Sequence, residues 1–233
     1  MTTTPLVWKA ESLANTTTTG VQANGQVIGL DDGGYVVIWN DVSHTFSTGD
    51  AVVGQRFDAQ GVKVGSETKI SQFGAGFDDV IGGAAITNLH NGNIAVAYTH
   101  TISGTDTDIY VRVDNASLGL VRDDPIDIGV TQTRNASITS FADGSYVVSY
   151  TLGNGGGNTD ILARIVSATG VVGGPITVRD NGTLDADVSQ LATLSNGNFV
   201  DVYRQTVGSG HDINFSKVYR FRTINGRRVL SGE

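Results

Sequence analysis

Four times along the chain, a short apolar run stops at an Asp-Gly or Asn-Gly pair and a second apolar run begins. The copies span residues 29–39, 88–98, 140–150 and 193–203, aligned on Gly33, Gly92, Gly144 and Gly197. Asp-Gly and Asn-Gly suit a two-residue type I′ turn, in which both central residues need positive φ, so each copy predicts a β-hairpin. In the second strand of the first copy, Tyr35, Val37 and Trp39 alternate with Val36 and Ile38. Both faces of that strand are apolar, which predicts a sheet covered on both sides.

Each unit continues in the same way. Asp50, Asp108, Asp160 and Asp212 lead into a third apolar run, Gly61, Gly119, Gly170 and Gly226 mark a turn, and a fourth short run follows. The pattern predicts four-stranded meanders over residues 21–76, 77–130, 131–180 and 181–233. They follow an atypical arm, 1–20, whose Leu6-Val7-Trp8 is a candidate closing strand. One meander cannot bury both of its faces, whereas copies stacked about an axis can. The expected fold is all-β, a small repeat-built β-propeller of about four blades in one domain. Two tandem β-sandwich domains use the same strands and are the alternative.

Composition narrows the function. The 233 residues carry 31 glycines, 3 prolines, no cysteine and a formal charge of -8. The acidity argues against a nucleic-acid binder, and the lack of cysteine removes disulfides and thiolate chemistry. No apolar run reaches the roughly 18 residues of a membrane span. Met1-Thr2-Thr3-Thr4-Pro5 lacks the basic and apolar regions of a secretory signal. The chain is therefore expected to be cytoplasmic or to be exported without an N-terminal signal.

Among the 23 acidic residues only Glu11, Glu67 and Glu233 are glutamates. Short aspartates suit turns and oxygen-ligand cation sites. Asp50, Asp108, Asp160 and Asp212 share one repeat position, which a propeller would arrange as a ring. With Asp31 and Asp32 they are the candidate Ca2+ ligands, and local turn capping is the competing reading. The fourth unit carries Arg220, Arg222, Arg227 and Arg228, a candidate anion patch or a solvated edge face. Tyr203 and Tyr219 are candidate sugar-stacking rings, with core packing the alternative for Tyr203. The four histidines have no metal-ligand spacing. No feature singles out the carboxyl pair a glycosidase needs, so the expectation is a non-catalytic chain.

The frame L-x-[DN]-G-x-[YF]-V-V-x-[WY], followed by Gln55-Arg56-Phe57-Asp58-Ala59-Gln60-Gly61, resembles repeats of large calcium-binding adhesins exported by type I machinery. Size, acidity and lack of cysteine make the chain similar to the rhizobial Rap (Rhizobium-adhering) proteins, most of all the small exopolysaccharide-binding kind. The resemblance implies two cadherin-like domains in place of a ring. It also implies a secreted, calcium-dependent lectin or adhesin on the bacterial surface and in the extracellular matrix. Such a protein would bind the acidic exopolysaccharide or capsular polysaccharide of its own bacterium, supporting aggregation, biofilm and root attachment. We expect a monomer. The functional alternatives are a carbohydrate-active enzyme, such as a matrix polysaccharide glycosidase, and a structural repeat without its own ligand.

Overall fold

A computed structural model describes residues 11–46, 49–72, 83–103, 106–129, 132–153, 158–180 and 184–218, and the strand course of 221–224 and 227–230. The described residues contain strands and turns and no helix. Sheet one consists of β1 (Gln22–Gly29), β2 (Tyr35–Asp41), β3 (Ala51–Phe57) and β4 (Lys63–Lys69). Sheet two holds β5 (Ala85–Asn88), β6 (Asn93–Ser103), β7 (Asp106–Asn115) and β8 (Leu120–Asp127). Sheet three holds β9 (Thr133–Ser140), β10 (Tyr146–Gly153), β11 (Thr159–Val166) and β12 (Ile176–Arg179). Sheet four joins β13 (Ala186–Thr193), β14 (Phe199–Val207) and β15 (Gly210–Val218), and β16 (Phe221–Ile224) pairs with β17 (Arg227–Leu230). Within each sheet, strands pair antiparallel in chain order, as the repeat predicts.

The hairpin turns differ from the expected geometry. Gly33, Gly92, Gly144 and Gly197 have positive φ, but the preceding Asp or Asn does not. Leu30 N–H donates to Gly34 O at 2.8 Å while Leu30 O accepts Gly33 N–H at 3.1 Å, and Phe141 and Leu194 repeat both bonds. This is a type I turn closed by one left-handed glycine, so only the glycine is demanded by the backbone. The residue before it acts differently. Asp32, Asn91, Asp143 and Asn196 each accept the N–H two residues on through a side-chain oxygen, a local turn cap.

Consecutive sheets pack face to face, with β1 beside β5, β5 beside β9 and β9 beside β13. Sheets one and two share a core of Val36, Ile38, Val52, Ile70, Ile94, Val96 and Tyr98. Sheets two and three share a larger one that includes Leu89, Ile109, Val111, Tyr146, Val148 and Tyr150. Phe141 and Phe199, with Ile161, Ala186 and Tyr203, join sheets three and four. Two paired sandwiches would leave sheets two and three without a common core, so the tandem-sandwich and cadherin-like expectation is corrected. The packing is sequential, as in a propeller.

Polar groups bridge each junction. Arg112 pairs with buried Asp114 at 2.8 Å and donates to Lys69 O and Ile70 O, tying sheet two to sheet one. Tyr146 Oη donates to Asp124, which also pairs with Arg122 at 2.9 Å, tying sheet three to sheet two. Ser149 and Ser189 hydroxyls share a bond of 2.6 Å between sheets three and four. That last junction also buries Asp201 completely, and neither of its carboxyl oxygens has a hydrogen-bond partner. Burial raises its pKa to about 7, and the nearby Ser149 hydroxyl, whose bond goes to Ser189, opposes this less strongly. An uncompensated carboxylate in such a place is costly, and the group instead holds its proton.

The native state binds this proton more tightly than the unfolded chain, so its stabilising effect is fully present below about pH 4 and is lost as pH rises to about 7. The loss is on the order of 4 kcal/mol, or about 10 °C in melting temperature. Asp201→Asn should flatten the melting temperature across that interval and stabilise the protein at pH 8. Parallel melting curves for the two proteins from pH 4 to 8 would contradict this.

Candidate functional site

The stack of sheets has two different ends. At the hairpin end lie the turns from first to second strand. At the opposite end, second strands cross to third strands and each sheet connects to the next.

At the hairpin end, Asp31 sits 3.0 Å from Asn88 Nδ2 and 3.8 Å from His90 Nδ1. Asp32 caps its turn through Gly34 N–H and pairs with Arg56. The Gly34 amide, then Arg56, holds its carboxyl below the usual range. A groove of about 670 Å³ opens here between the third and fourth turns, lined in part by His90, Asp143, Ser195 and Asn196. Its carboxylate, Asp143, is committed to capping its own turn through Ser145 N–H at 3.0 Å. The groove has the shape of a binding surface but no free acid.

The opposite end carries more polar groups. Buried oxygens without a hydrogen-bond partner accumulate there: Asp41 Oδ2, Thr99 Oγ1, Asp106 Oδ1, Thr151 Oγ1 and Asp160 Oδ1. Each such group costs on the order of 1–3 kcal/mol, and the five are distributed over sheets one, two and three. Sheet two adds a group of carboxyls. Asp108 is buried and opposite His100 in the β6–β7 pairing, and its Oδ1 accepts Gly129 N–H at 3.1 Å. Burial raises its pKa, Gly129 opposes that, and the charges of Asp106 and Asp127 raise it further. Asp127 lies 3.6 Å from Arg164 of sheet three and is partly open to solvent. The ring of Tyr110 meets His100 edge-on at 6.0 Å, and burial, then Asp108, raises its pKa. The fold places the group by one further device. Thr107, between the two acids, exchanges three hydrogen bonds of 2.5–3.0 Å with Thr133 at the start of β9.

The candidate calcium ligands distribute as follows. Asp50 precedes β3, 4.0 Å from His44; Asp108 lies in the acid group; Asp160 is half-buried in β11; Asp212 is exposed on β15. They stand one per sheet, and among the described residues no three carboxyl or imidazole groups come together as a cation site. Tyr203 is buried between sheets three and four, with its hydroxyl 3.5 Å from Ser216 Oγ. Its reading as a sugar-stacking ring is corrected: the core needs the ring, and no face of it is free. Arg222, Arg227 and Arg228 fall in β16 and β17, whose side chains lie outside the described residues, as do Tyr219 and Arg220 entirely. Sequence reasoning selected Asp108 by its repeat position but missed Asp106, Asp127, Tyr110 and Arg164. Asp106, two positions before Asp108 on the same strand face, was the one available signal.

No protein-family model and no curated protein matches the chain. Solved structures do. An endo-arabinase from Bacteroides thetaiotaomicron VPI-5482 superposes with a TM-score of 0.54 at 11% identity, covering 90% of this chain and 80% of the other. A GH93 α-L-arabinofuranosidase of Fusarium graminearum gives 0.61 at 10% identity, covering 90% and 66%. A Hadza microbial sialidase gives 0.62 at 9% identity, covering 85% of this chain and 46% of that one. The chain thus spans from under half to four fifths of these structures. At such identities the likeness is one of fold, and the fold is propeller-like. It also overturns the expected function. The neighbours named here are enzymes acting on glycans, so the expectation of a non-catalytic lectin or adhesin gives way to the carbohydrate-active alternative.

Core packing by Tyr203 has a measurable consequence. Tyr203→Ala should cost about 3–5 kcal/mol of stability, whereas Tyr203→Phe should leave both the melting temperature and glycan affinity within error. A Tyr203→Ala protein that melts with the wild type would contradict the core role.

Proposed function

We propose that the chain is a glycoside hydrolase acting on a polysaccharide at the acid group of sheet two. The observation that carries this reading is Asp108: a carboxyl pushed toward its protonated form by burial, with two more carboxyls close enough to raise it further. Glycosidic bond cleavage needs one carboxyl that donates a proton to the departing oxygen and a second that acts as base or nucleophile. Asp108 is the proton donor. Asp127, ion-paired with Arg164 and partly open to solvent, is the basic partner. Asp106, on the same strand face as Asp108, has an oxygen with no protein partner that can accept a substrate hydroxyl. The glycan-cleaving enzymes of similar fold support the substrate class.

Reducing-sugar release from arabinan, xylan and an acidic bacterial exopolysaccharide tests the reading. Asp108→Asn and Asp127→Asn should each lower turnover by about 10²–10⁴-fold in a protein that stays folded. The donor must be protonated, so wild-type turnover should fall as pH rises through the raised pKa of Asp108. The Asn variant should lose that limb. Wild-type turnover in both variants, or no turnover of any of these polymers by the wild type, would overturn the assignment.

A further inference from the structure

The third unit departs from its neighbours at one cross-strand pair. The first strands of sheets one, three and four carry a left-handed residue at the same repeat position: Asn24, Asn135 and Val188, with φ of 56°, 56° and 51°. In each, the pairing with the second strand slips at that residue. Such a bulge bends the strand and re-aims the side chains beside it. The residue before the bulge faces a fixed position on the second strand. Ala23 faces Asn40, Arg134 faces Thr151, and Asp187 faces Arg204. In sheet four the pair is matched, with Arg204 Nε and Nη2 donating to the two carboxyl oxygens of Asp187 at 2.8 and 2.7 Å. Sheet three has the guanidinium without the carboxylate.

Arg134 is half-buried, and among the described residues its side chain makes no hydrogen bond and no ion pair. By contrast, Arg56, Arg112, Arg122, Arg164 and Arg204 each pair with an aspartate. Thr151 is 0% exposed, and its hydroxyl also lacks a partner. Residues directly opposite on antiparallel strands share a face, with Cβ atoms about 4.5–5.5 Å apart. That face is turned to sheet four, because Ser149, two positions before Thr151, bonds Ser189. An arginine keeps its charge at any working pH, so an unmatched donor fork lies beside an unmatched buried hydroxyl. Both can donate to one oxyanion. The place adjoins the acid group: Thr133, next to Arg134, is bonded to Thr107 between Asp106 and Asp108.

We propose that Arg134 and Thr151 form a subsite for a single oxyanion, which takes the role that the Asp187 carboxylate plays in sheet four. The oxyanion comes from one of two sources, a charged substituent on the glycan held at the acid group or a free inorganic anion. Only the first source rests on the hydrolase reading. The test reads binding without turnover, so a failure of that reading leaves the subsite standing.

The full chain is titrated by calorimetry with three probes: inorganic sulfate, an unsubstituted xylo-oligosaccharide, and the same oligosaccharide carrying one glucuronate. The wild type should bind at least one anionic probe at one-to-one stoichiometry. Arg134→Gln should weaken that binding by about tenfold or more and leave the neutral oligosaccharide unaffected. Arg134→Lys, which keeps the charge but loses the fork, should fall between the two. Thr151→Val removes a buried hydroxyl that has no partner, so it should fold at least as stably as the wild type and bind the anion more weakly. It keeps the test open if Arg134→Gln is unstable. Arginine-dependent preference for the glucuronate-bearing oligosaccharide assigns the anion to the glycan. Arginine-dependent sulfate binding, with both oligosaccharides bound alike, assigns it to a free anion. Anion binding that survives both Arg134→Gln and Thr151→Val, or no anion bound by the wild type, would overturn the subsite.

Discussion

The fold depends on one constraint: the central strands of the sheets are apolar on both faces, and the two inner sheets are stable only between their neighbours. Val52, Ile109 and Ile161 show it in miniature, each fully covered by the sheet that follows. A hairpin repeat that alternated apolar and polar would have made a one-sided sheet and a different molecule. Because the constraint acts sheet to sheet, errors and openings concentrate at the ends of the stack. At one of them sheet four leaves Ile213 and Phe215 exposed.

The junctions are not purely apolar, and their polar members differ in kind. Arg112–Asp114 and Arg122–Asp124–Tyr146 are closed networks, in which buried charge is met by a partner and by backbone carbonyls. Such groups give little net stability but penalise any other alignment of the sheets. Gly170, with positive φ, packs against the Arg122–Asp124 pair so closely that a Cβ there would lie 2.9 Å from Arg122 Nε. Asp201 is the exception. It replaces the valine found at the same position in the other three units, Val37, Val96 and Val148, and has no partner for its oxygens. The third junction therefore carries a pH dependence that the first two lack.

The acid group follows from the same architecture. Asp106 and Asp108 share a strand, Asp127 comes from the next, and Arg164 belongs to the neighbouring sheet. Only strand pairing and sheet stacking bring them together. The resulting field raises one carboxyl while an arginine pairs with another. The Thr107–Thr133 bonds join the strand carrying the two acids to the first strand of sheet three, so the site's geometry depends on the junction being intact.

Much of the architecture was legible in the chain itself. The spacing of Gly33, Gly92, Gly144 and Gly197, with apolar runs on either side, determined four meanders and their strand order, because turn chemistry and hydrophobic alternation are local. The turn type was misread at the same glycines, since Asp32 and its equivalents cap the turn and do not adopt positive φ. What only the tertiary structure decided was how the sheets share their faces and which acids meet. Repeat position grouped Asp50, Asp108, Asp160 and Asp212, yet these stand on separate sheets. Asp127 pairs with Ile109, the neighbour of Asp108, because β7 and β8 run side by side, and its charge reaches Asp108. The physical reason is range: a turn is set by four residues, but a carboxyl's charge and burial are set by groups brought from other strands and sheets.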